Sequence, residues 1–413
     1  MTAAEAEAYL LDLELFGMRF GLDRMHRLMT ALGMPQRRFA SIHVVGSNGK
    51  SSTVRMIAAI LERHGVRTGS YTSPHLRSFA ERIEVGERPL SDADLGAAVA
   101  HAAHAATLVD RTAGEDGDRV TQFEALTAAA YHELARREVD VAVIEAGLGG
   151  RYDATNVIPS KVQVLTGISL EHTRWLGSTL SAIAEEKLAV VPDHGSLVTG
   201  EALAPEVEQV VRGIAGERHA QVVRAPAPGP LALRARGEFQ RSNFALARAA
   251  AGVFLGALDE RAVARAAAEI DVPGRLEVIG EEPPVVLDGA HNPAGAVALA
   301  QSLAATVAGR AVTAVIAVLD DKDAEQMLSV LLPLCDRVVY TAVDHPRSLP
   351  PAALAAIGAR LGGPPAEVVR DAGEALERAR ALAGGEGAVL ATGSLHLVAE
   401  LVRERGGARA SWL

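Results

Sequence analysis

The sequence predicts a two-domain α/β protein: a phosphate-loop domain followed by a doubly wound domain with a mainly parallel sheet. Three observations carry this. The stretch HVVGSNGKSST, residues 43–53, sets a glycine turn and Lys-Ser between a buried-strand run and a helical pattern. Beyond residue 275, short apolar runs alternate with helical segments, as βαβ units around a parallel sheet do. A length of 413 residues with 49% apolar content supplies a core for each of two domains.

Composition narrows the class. A net charge of −10 and 4% aromatic residues argue against a nucleic-acid partner. They leave anionic small molecules open, because a local site can be positive in an acidic protein. Cys335 is the single cysteine, so neither a disulfide framework nor a cysteine metal site is predicted. The acidic start MTAAEAEAYLLDLELF lacks the cationic leader of a secretory signal. No apolar run reaches membrane-spanning length. A soluble cytoplasmic enzyme is the expectation.

Taken in order, residues 4–16 read as a helix with Tyr9, Leu10, Leu13 and Phe16 on its apolar face and Gly17 as its stop. Residues 21–32 read as a second helix. Residues 42–45 are the strand entering the glycine turn. Only 45 residues precede Gly46, too few for a separate substrate domain. Gly65 and Gly69 bracket a short strand. In SPHLRSFAERI, Pro74 bars helix and holds Ser73 extended. A Ser-Pro-His loop at a strand's carboxyl end is either a ligand loop of an open α/β sheet or an ordinary polar turn. Residues 91–110 read as an Ala-rich helix, TAGEDGD as an exposed loop, and 122–137 as a helix with Phe123 and Glu124 in its first turn. Residues 139–144 read as a strand buried on both faces. Glu145 ends it, and a buried carboxylate there is paired or holds a metal, since burial alone is costly. Gly147, Gly149 and Gly150 allow a close backbone approach.

The strand 162–168 leads to His172, and residues 179–191 form a helix whose Glu185, Glu186 and Lys187 read by pattern as a solvated face. Strand signals weaken from residue 195 until a helix that contains Asn243. Asp271, Pro273, Gly274 and Arg275 punctuate the chain. Strands then fall near 285–288, 312–318, 336–341, 366–369 and 387–392. Helices fall near 295–307, 324–333, 350–361, 373–384 and 394–404. The first of these strands runs into DGAHNP.

The glycine turn carries the chemistry. N–H groups at a helix N-terminus bear partial positive charge and point outward, and glycines let the backbone approach phosphate oxygens. Lys50 would reach the β- and γ-phosphates, and a hydroxyl of Ser51 or Ser52 would ligate Mg²⁺.

With VVGSNGKSST, SPHLRSFAERI, QFEALT, VAVIEAGLGGRYDATNVI, ISLEHTRWLG, AEEKLAV, PGRLEV, VVLDGAHNP, VLDDKD and ATGSLHLV in that order, the chain resembles the folylpolyglutamate synthase/dihydrofolate synthase family of Mur ligases nearly end to end. The resemblance implies a Mur-ligase-type P-loop ATPase and pterin-binding domain over 1–274 and a Rossmann-like glutamate-ligase domain over 275–413. It implies ATP at Gly46, Asn48, Gly49, Lys50, Ser51 and Ser52, joined by Asn243, Arg275, Asp288 and His291 across a domain cleft. Ser52, Ser73, Glu145 and His172 match its metal set, with Mg²⁺ as the ion and room for a monovalent cation such as K⁺. Because Ser51 stands where the family has glycine, the choice between the two serines stays open. Lys187 matches a lysine carbamylated by CO₂. Lys50, Lys187, His172 and Arg275 are the implied catalytic groups. Phe123, Glu124, Arg151, Asp153 and Asn156 are the implied pterin-side residues, the flat phenyl ring suiting a flat heterocycle. Glu171, Arg174 and Leu188-Ala189 also depart from the family pattern.

The implied reaction adds L-glutamate to dihydropteroate, folylglutamates or both through an acyl phosphate, in a monomer that binds small molecules only. Three alternatives remain. One is a cell-wall Mur ligase, disfavoured by the short lead before Gly46. Another is a Mur-ligase-like enzyme for a different carboxylic acid, and the last is a non-catalytic nucleotide-binding relative.

Overall fold

Apolar runs spread over the first 224 residues pair into one eight-stranded sheet in a computed structural model that describes residues 1–13, 21–112, 119–280 and 282–403. The strands are β1 (Ala40–Val45), β2 (Thr68–Tyr71), β3 (Ile83–Val85), β4 (Arg88–Pro89), β5 (Val141–Glu145), β6 (Val162–Leu165), β7 (Ser196–Thr199) and β8 (Gln221–Arg224). Their order is β4-β3-β2-β5-β1-β6-β7-β8. All neighbours are parallel except β2–β3 and β3–β4. β1 and β5 are buried on both faces apart from Ala40, which is why they read as continuous apolar runs. A helical core of Met25, Leu28, Leu95, Val99, Leu126 and Tyr131 packs with Ile144, and a second cluster joins Val45 and Leu165 to Leu188, Val207 and Val211. Each fully buried Leu, Ile or Val contributes about 1.5–3 kcal/mol.

This sheet belongs to a unit formed by Met1–Ala232 and Ser242–Ile270. The first helix spans Ala3–Asp12, opened by a capping box between Thr2 and Glu5. Phe16, Gly17 and most of TAGEDGD lie outside the described residues. Gly69 lies within β2 rather than bounding it, because a Cβ there would stand 2.4 Å from Leu134 Cδ2. The β3–β4 hairpin, β7, β8 and the helices Pro205–Glu217 and Glu260–Glu269 add to the elements read from the sequence. The strands among them are two to four residues long, too short for a period to show.

The second unit comprises Leu233–Arg241 and the chain from Asp271 onward. Its strands are β9 (Glu277–Ile279), β10 (Val285–Leu287), β11 (Val312–Ile316), β12 (Arg337–Tyr340), β13 (Ala366–Val368) and β14 (Ala388–Thr392), in the order β13-β12-β11-β14-β10-β9. Only β9 is antiparallel to its neighbour. Helices Pro293–Thr306, Ala324–Leu331 and Pro351–Arg360 share one core cluster with the strands. Asn292, Asp323 and Asp371 cap three of the helices, as the sequence pattern of polar residue before apolar periodicity leads one to expect. Cys335 is a free thiol, and burial pushes its pKa up to about 12. Among the described residues no helix is long and apolar enough to cross a membrane.

Candidate active site

The central position of β1 between β5 and β6 brings the loops after β1, β2, β5 and β6 to one carboxyl edge, where open α/β sheets bind ligands. After β1 the chain turns at Gly46 (φ +148°) and Gly49 (φ +82°). A Cβ at Gly46 would fall 2.0 Å from Thr166 Oγ1, and one at Gly49 would fall 2.5 Å from Asn243 Oδ1. The turn is stitched to the loop after β6. Ser47 N donates to Gly167 O (2.8 Å), Ser169 N donates to Ser47 Oγ (3.0 Å), and Thr166 Oγ1 donates to Asn48 O (2.6 Å). Gly49 then caps the helix Lys50–Arg63. Lys50 Nζ donates to Gly46 O (3.0 Å) and Ser47 O (3.1 Å), so its ammonium sits at the turn.

Lys187 reaches the same turn from the helix Leu180–Leu188. It is 2% exposed, not a solvated-face residue, and its Nζ donates to Gly46 O at 2.8 Å. Glu171 pairs with it at 2.9 Å. Burial alone would raise the Glu171 carboxyl, but Lys187 and Lys50 bring it down to about 2. Burial lowers the Lys187 pKa, and Glu171 opposes that shift.

Glu145, 2% exposed at the end of β5, is the next group. Its Oε1 accepts from Ser51 Oγ (3.0 Å) and its Oε2 from Ser73 N (3.1 Å). Ser52 is 2% exposed within its helix. His172 opens the short helix Thr173–Leu176 with φ +46°, and its charge reaches Glu171. Among the described residues no three His, Cys, Asp or Glu side chains gather as a metal site. The groups that meet here are one carboxylate, the Ser51 hydroxyl and the Ser73 backbone, with His172 on the loop after β6. That suits Mg²⁺, which is held by one or two carboxylates together with phosphate oxygens and water.

Among the residues expected at the substrate, the Phe123 ring lies 6.1 Å from that of Tyr71. A Cβ at Gly147 would stand 2.5 Å from Phe123 Cζ and 3.1 Å from Asp153 Oδ2, so Phe123 and Asp153 border one glycine. Asp153 is buried, which raises its pKa, and it accepts from Leu148 N (2.8 Å) and Thr155 N (3.0 Å). Glu124 completes a capping box with Thr121 and pairs with Arg24 at 3.1 Å. Asn156 Nδ2 donates to Arg151 O (3.1 Å), and Arg151 pairs with Glu186 (3.3 Å).

In the second unit, Asp288 follows β10 and accepts from Leu276 N (3.0 Å) and Ala290 N (2.9 Å). Burial raises its pKa, and Arg275 counters the rise. Arg275 Nη1 donates to Gly274 O at 3.0 Å, and a Cβ at Gly289 would lie 2.4 Å from that nitrogen. His291 Nδ1 donates to Gly289 O at 2.9 Å, leaving Nε2 as the other ring nitrogen.

The chain is 39% identical over 394 residues to the dihydrofolate synthase/folylpolyglutamate synthase of Mycobacterium tuberculosis, covering 85% of this chain and 81% of that one. It belongs to the folylpolyglutamate synthase/dihydrofolate synthase family. The family model for the Mur ligase glutamate ligase domain matches residues 274–395. Two solved structures agree in fold. The Mycobacterium tuberculosis folylpolyglutamate synthase complexed with ADP has a TM-score of 0.90 at 35% identity, covering 96% of this chain and 97% of its own. A bifunctional folylpolyglutamate synthase/dihydrofolate synthase from Yersinia pestis, complexed with AMPPNP and Mn ion, has a TM-score of 0.84 at 28% identity, with 97% of each chain covered. Like its relatives, this folylpolyglutamate synthase/dihydrofolate synthase homologue is an ATP-dependent ligase with an α/β ATPase fold and a ligase domain.

The structure brings Gly46, Lys50, Lys187 and Glu171 together, and separately Ser51, Ser73 and Glu145. Sequence reasoning missed Thr166, Ser169 and Tyr71 as parts of the site, because no residue-type pattern marks a stitch between two loops.

Proposed function

We propose that this ligase adds L-glutamate to dihydropteroate, to folylglutamates, or to both, with release of ADP and phosphate. The carrying observation is the phosphate loop, where two glycines leave no room for a Cβ and Lys50 sits at the turn beside the Glu145–Ser51–Ser73 group. The γ-phosphate of ATP passes to the substrate carboxylate. The glutamate amine then attacks the acyl phosphate carbon, loses a proton, and expels phosphate. Helix N-terminal N–H groups and Lys50 hold the phosphates, and charge neutralisation with positioning supplies most of the rate. Mg²⁺, when bound, neutralises phosphate charge. We assign it to Glu145, Ser73 and His172, with Ser51 as its loop hydroxyl in place of Ser52, since Ser51 is the serine that touches Glu145. Phe123 stacks on the pterin, and Asp153 with the 151–156 loop lies beside it.

Lys187 is the carbamylation site in this reading. Burial works against its ammonium while Glu171 holds the charge in the unmodified chain; the deprotonated amine adds CO₂ and releases a proton. In the second unit we keep Arg275, Asp288 and His291 as nucleotide contacts, and we keep 1–274 and 275–413 as the functional domains. The family-model match over 274–395 supports that boundary. We read the protein as a cytoplasmic monomer, a reading supported by one cysteine and a charge of −10.

The test is phosphate release from ATP with glutamate and either dihydropteroate or a tetrahydrofolate. Release that depends on both the acid and glutamate, and that Lys50→Ala abolishes, is expected. Release that needs neither would sink the reading.

A further inference from the structure

We propose that His43 is a positioning residue for the acid substrate, acting through Thr155 to fix the carboxylate of Asp153. This deepens the reading of Asp153 as a residue beside the substrate, and rests on it. His43 lies in the middle of β1, between Ile144 of β5 and Gln163 of β6, and is 1% exposed. An imidazole buried between Ile42 and Val44 costs free energy unless its N–H is bonded. Its partner is Thr155, 112 positions along the chain.

Thr155 is fully buried and is gripped from three sides. His43 Nε2 lies 2.8 Å from its Oγ1, that hydroxyl donates to Asp153 Oδ1, and Tyr131 Oη donates to its carbonyl at 2.9 Å. Proton counting sets the directions. Asp153 Oδ1 also accepts from Thr155 N (3.0 Å), and Oδ2 accepts from Leu148 N (2.8 Å). Donors on both oxygens favour the ionised carboxylate, which can only accept. The single hydroxyl proton of Thr155 therefore goes to Asp153, and Oγ1 accepts from His43. That puts the imidazole proton on Nε2. Burial lowers the His43 pKa to about 4, so near neutral pH the ring carries that one proton.

The relay runs from the central strand to the edge where Phe123 stands. Asp153 caps the short turn Ala154–Val157 with Oδ1, the oxygen tied to β1 through Thr155. A Cβ at Gly147 would stand 3.1 Å from Oδ2 and 2.5 Å from Phe123 Cζ, so the other oxygen lies on the Phe123 side. With Oδ1 anchored, the carboxylate cannot turn about its terminal torsion, and Oδ2 keeps one direction. Such preorganisation strengthens binding without adding a contact, because the ordering cost is met before the substrate arrives. The buried surroundings strengthen each link of the relay.

The experiment is steady-state kinetics of the full-length protein, with dihydropteroate or a tetrahydrofolate as the acid. Thr155→Val keeps the side-chain shape and removes the hydroxyl. Loss of a hydrogen bond to a charged group should raise KM for the acid about tenfold, while KM for ATP and for glutamate stays at the wild-type value. His43→Leu should act in the same direction, and adding it to Thr155→Val should raise KM no further, since both cut one link. Thr155→Ser keeps the hydroxyl and His43→Gln keeps an N–H donor, so both should return KM toward wild type. If the valine variant does not fold, His43→Leu against His43→Gln decides the matter. Parallel rises in KM for the acid and for ATP, additive effects in the double variant, or a wild-type KM for the acid in folded His43→Leu overturns the proposal. Asp153→Asn tests the underlying reading separately. An unchanged KM for the acid there removes Asp153 from the substrate site and the proposal with it. A raised KM there beside a wild-type KM in Thr155→Val overturns the proposal alone.

Discussion

Gly49 and Lys187 show how much one position can decide. Gly49 holds φ +82°, a left-handed conformation that costs an L-residue about 1–2 kcal/mol, and its missing Cβ leaves the space in front of Asn243 open. Gly49→Ala should fold but lose about tenfold or more in nucleotide affinity, the equivalent of about 1.4 kcal/mol, as read by calorimetry. Wild-type affinity in that variant would show that the turn tolerates a side chain. Lys187 and Glu171 form a nearly dry ion pair, with side chains 2% and 6% exposed. Removing one partner of such a pair costs about 3–5 kcal/mol. Lys187→Met should therefore unfold at much lower denaturant than Arg151→Met, which breaks the half-exposed pair with Glu186 and should cost no more than about 1 kcal/mol. Equal losses in the two variants would refute the distinction between buried and exposed pairs.

At the level of elements, the helix Gln122–Arg136 ties stability to the proposed substrate residue Phe123. Thr121 caps it, Glu124 closes the capping box, and Phe123 occupies the same first turn. Thr121→Ala removes the cap and should cost about 1 kcal/mol in chemical denaturation. Because the frayed turn carries Phe123, KM for the pterin acid should rise while KM for ATP stays put. A rise in both would mean that the cap acts through global stability instead. The expected role of Glu124 at the substrate meets a competing use here, since its carboxylate serves the cap and Arg24.

For the whole molecule, acid sensitivity follows from two desolvated imidazoles, His43 in the first unit and His396 in the second. His43 in β1 has its Nε2 2.8 Å from Thr155 Oγ1, and burial lowers its pKa to about 4. His396 is lowered to about 3, by burial first and then by the charges of His345 and Arg347. Each stays neutral in the folded chain while its unfolded form takes up a proton below about 6.5. The unfolded state then binds more protons, so stability is complete above about pH 6.5 and is lost as pH falls toward 4 and 3. For His43 the loss by pH 4 is on the order of 3 kcal/mol. A denaturation series from pH 7.5 to 4.5 should show the midpoint falling, and a folded His43→Gln variant should show a shallower slope. An identical slope would remove His43 from the account.

The sequence by itself determined the α/β class, the βαβ alternation of the second unit and the glycine turn at residues 46–49. Each of these is local. Period-2 and period-3.6 patterns, a glycine requirement and a cap are written within a dozen neighbouring residues. Resemblance to a known family, not local pattern, singled out Glu145, Ser73 and Lys187 as candidates. Tertiary structure alone decided who meets whom. Ser51 meets Glu145 across 94 positions, and Lys187 meets Gly46 across 141. The strand order that places β1 between β5 and β6 makes those meetings, and no pattern along the chain encodes it. The solvated-face reading of Lys187 failed for the same reason: helical spacing says which residues share a face, but what covers that face comes from elsewhere in the chain.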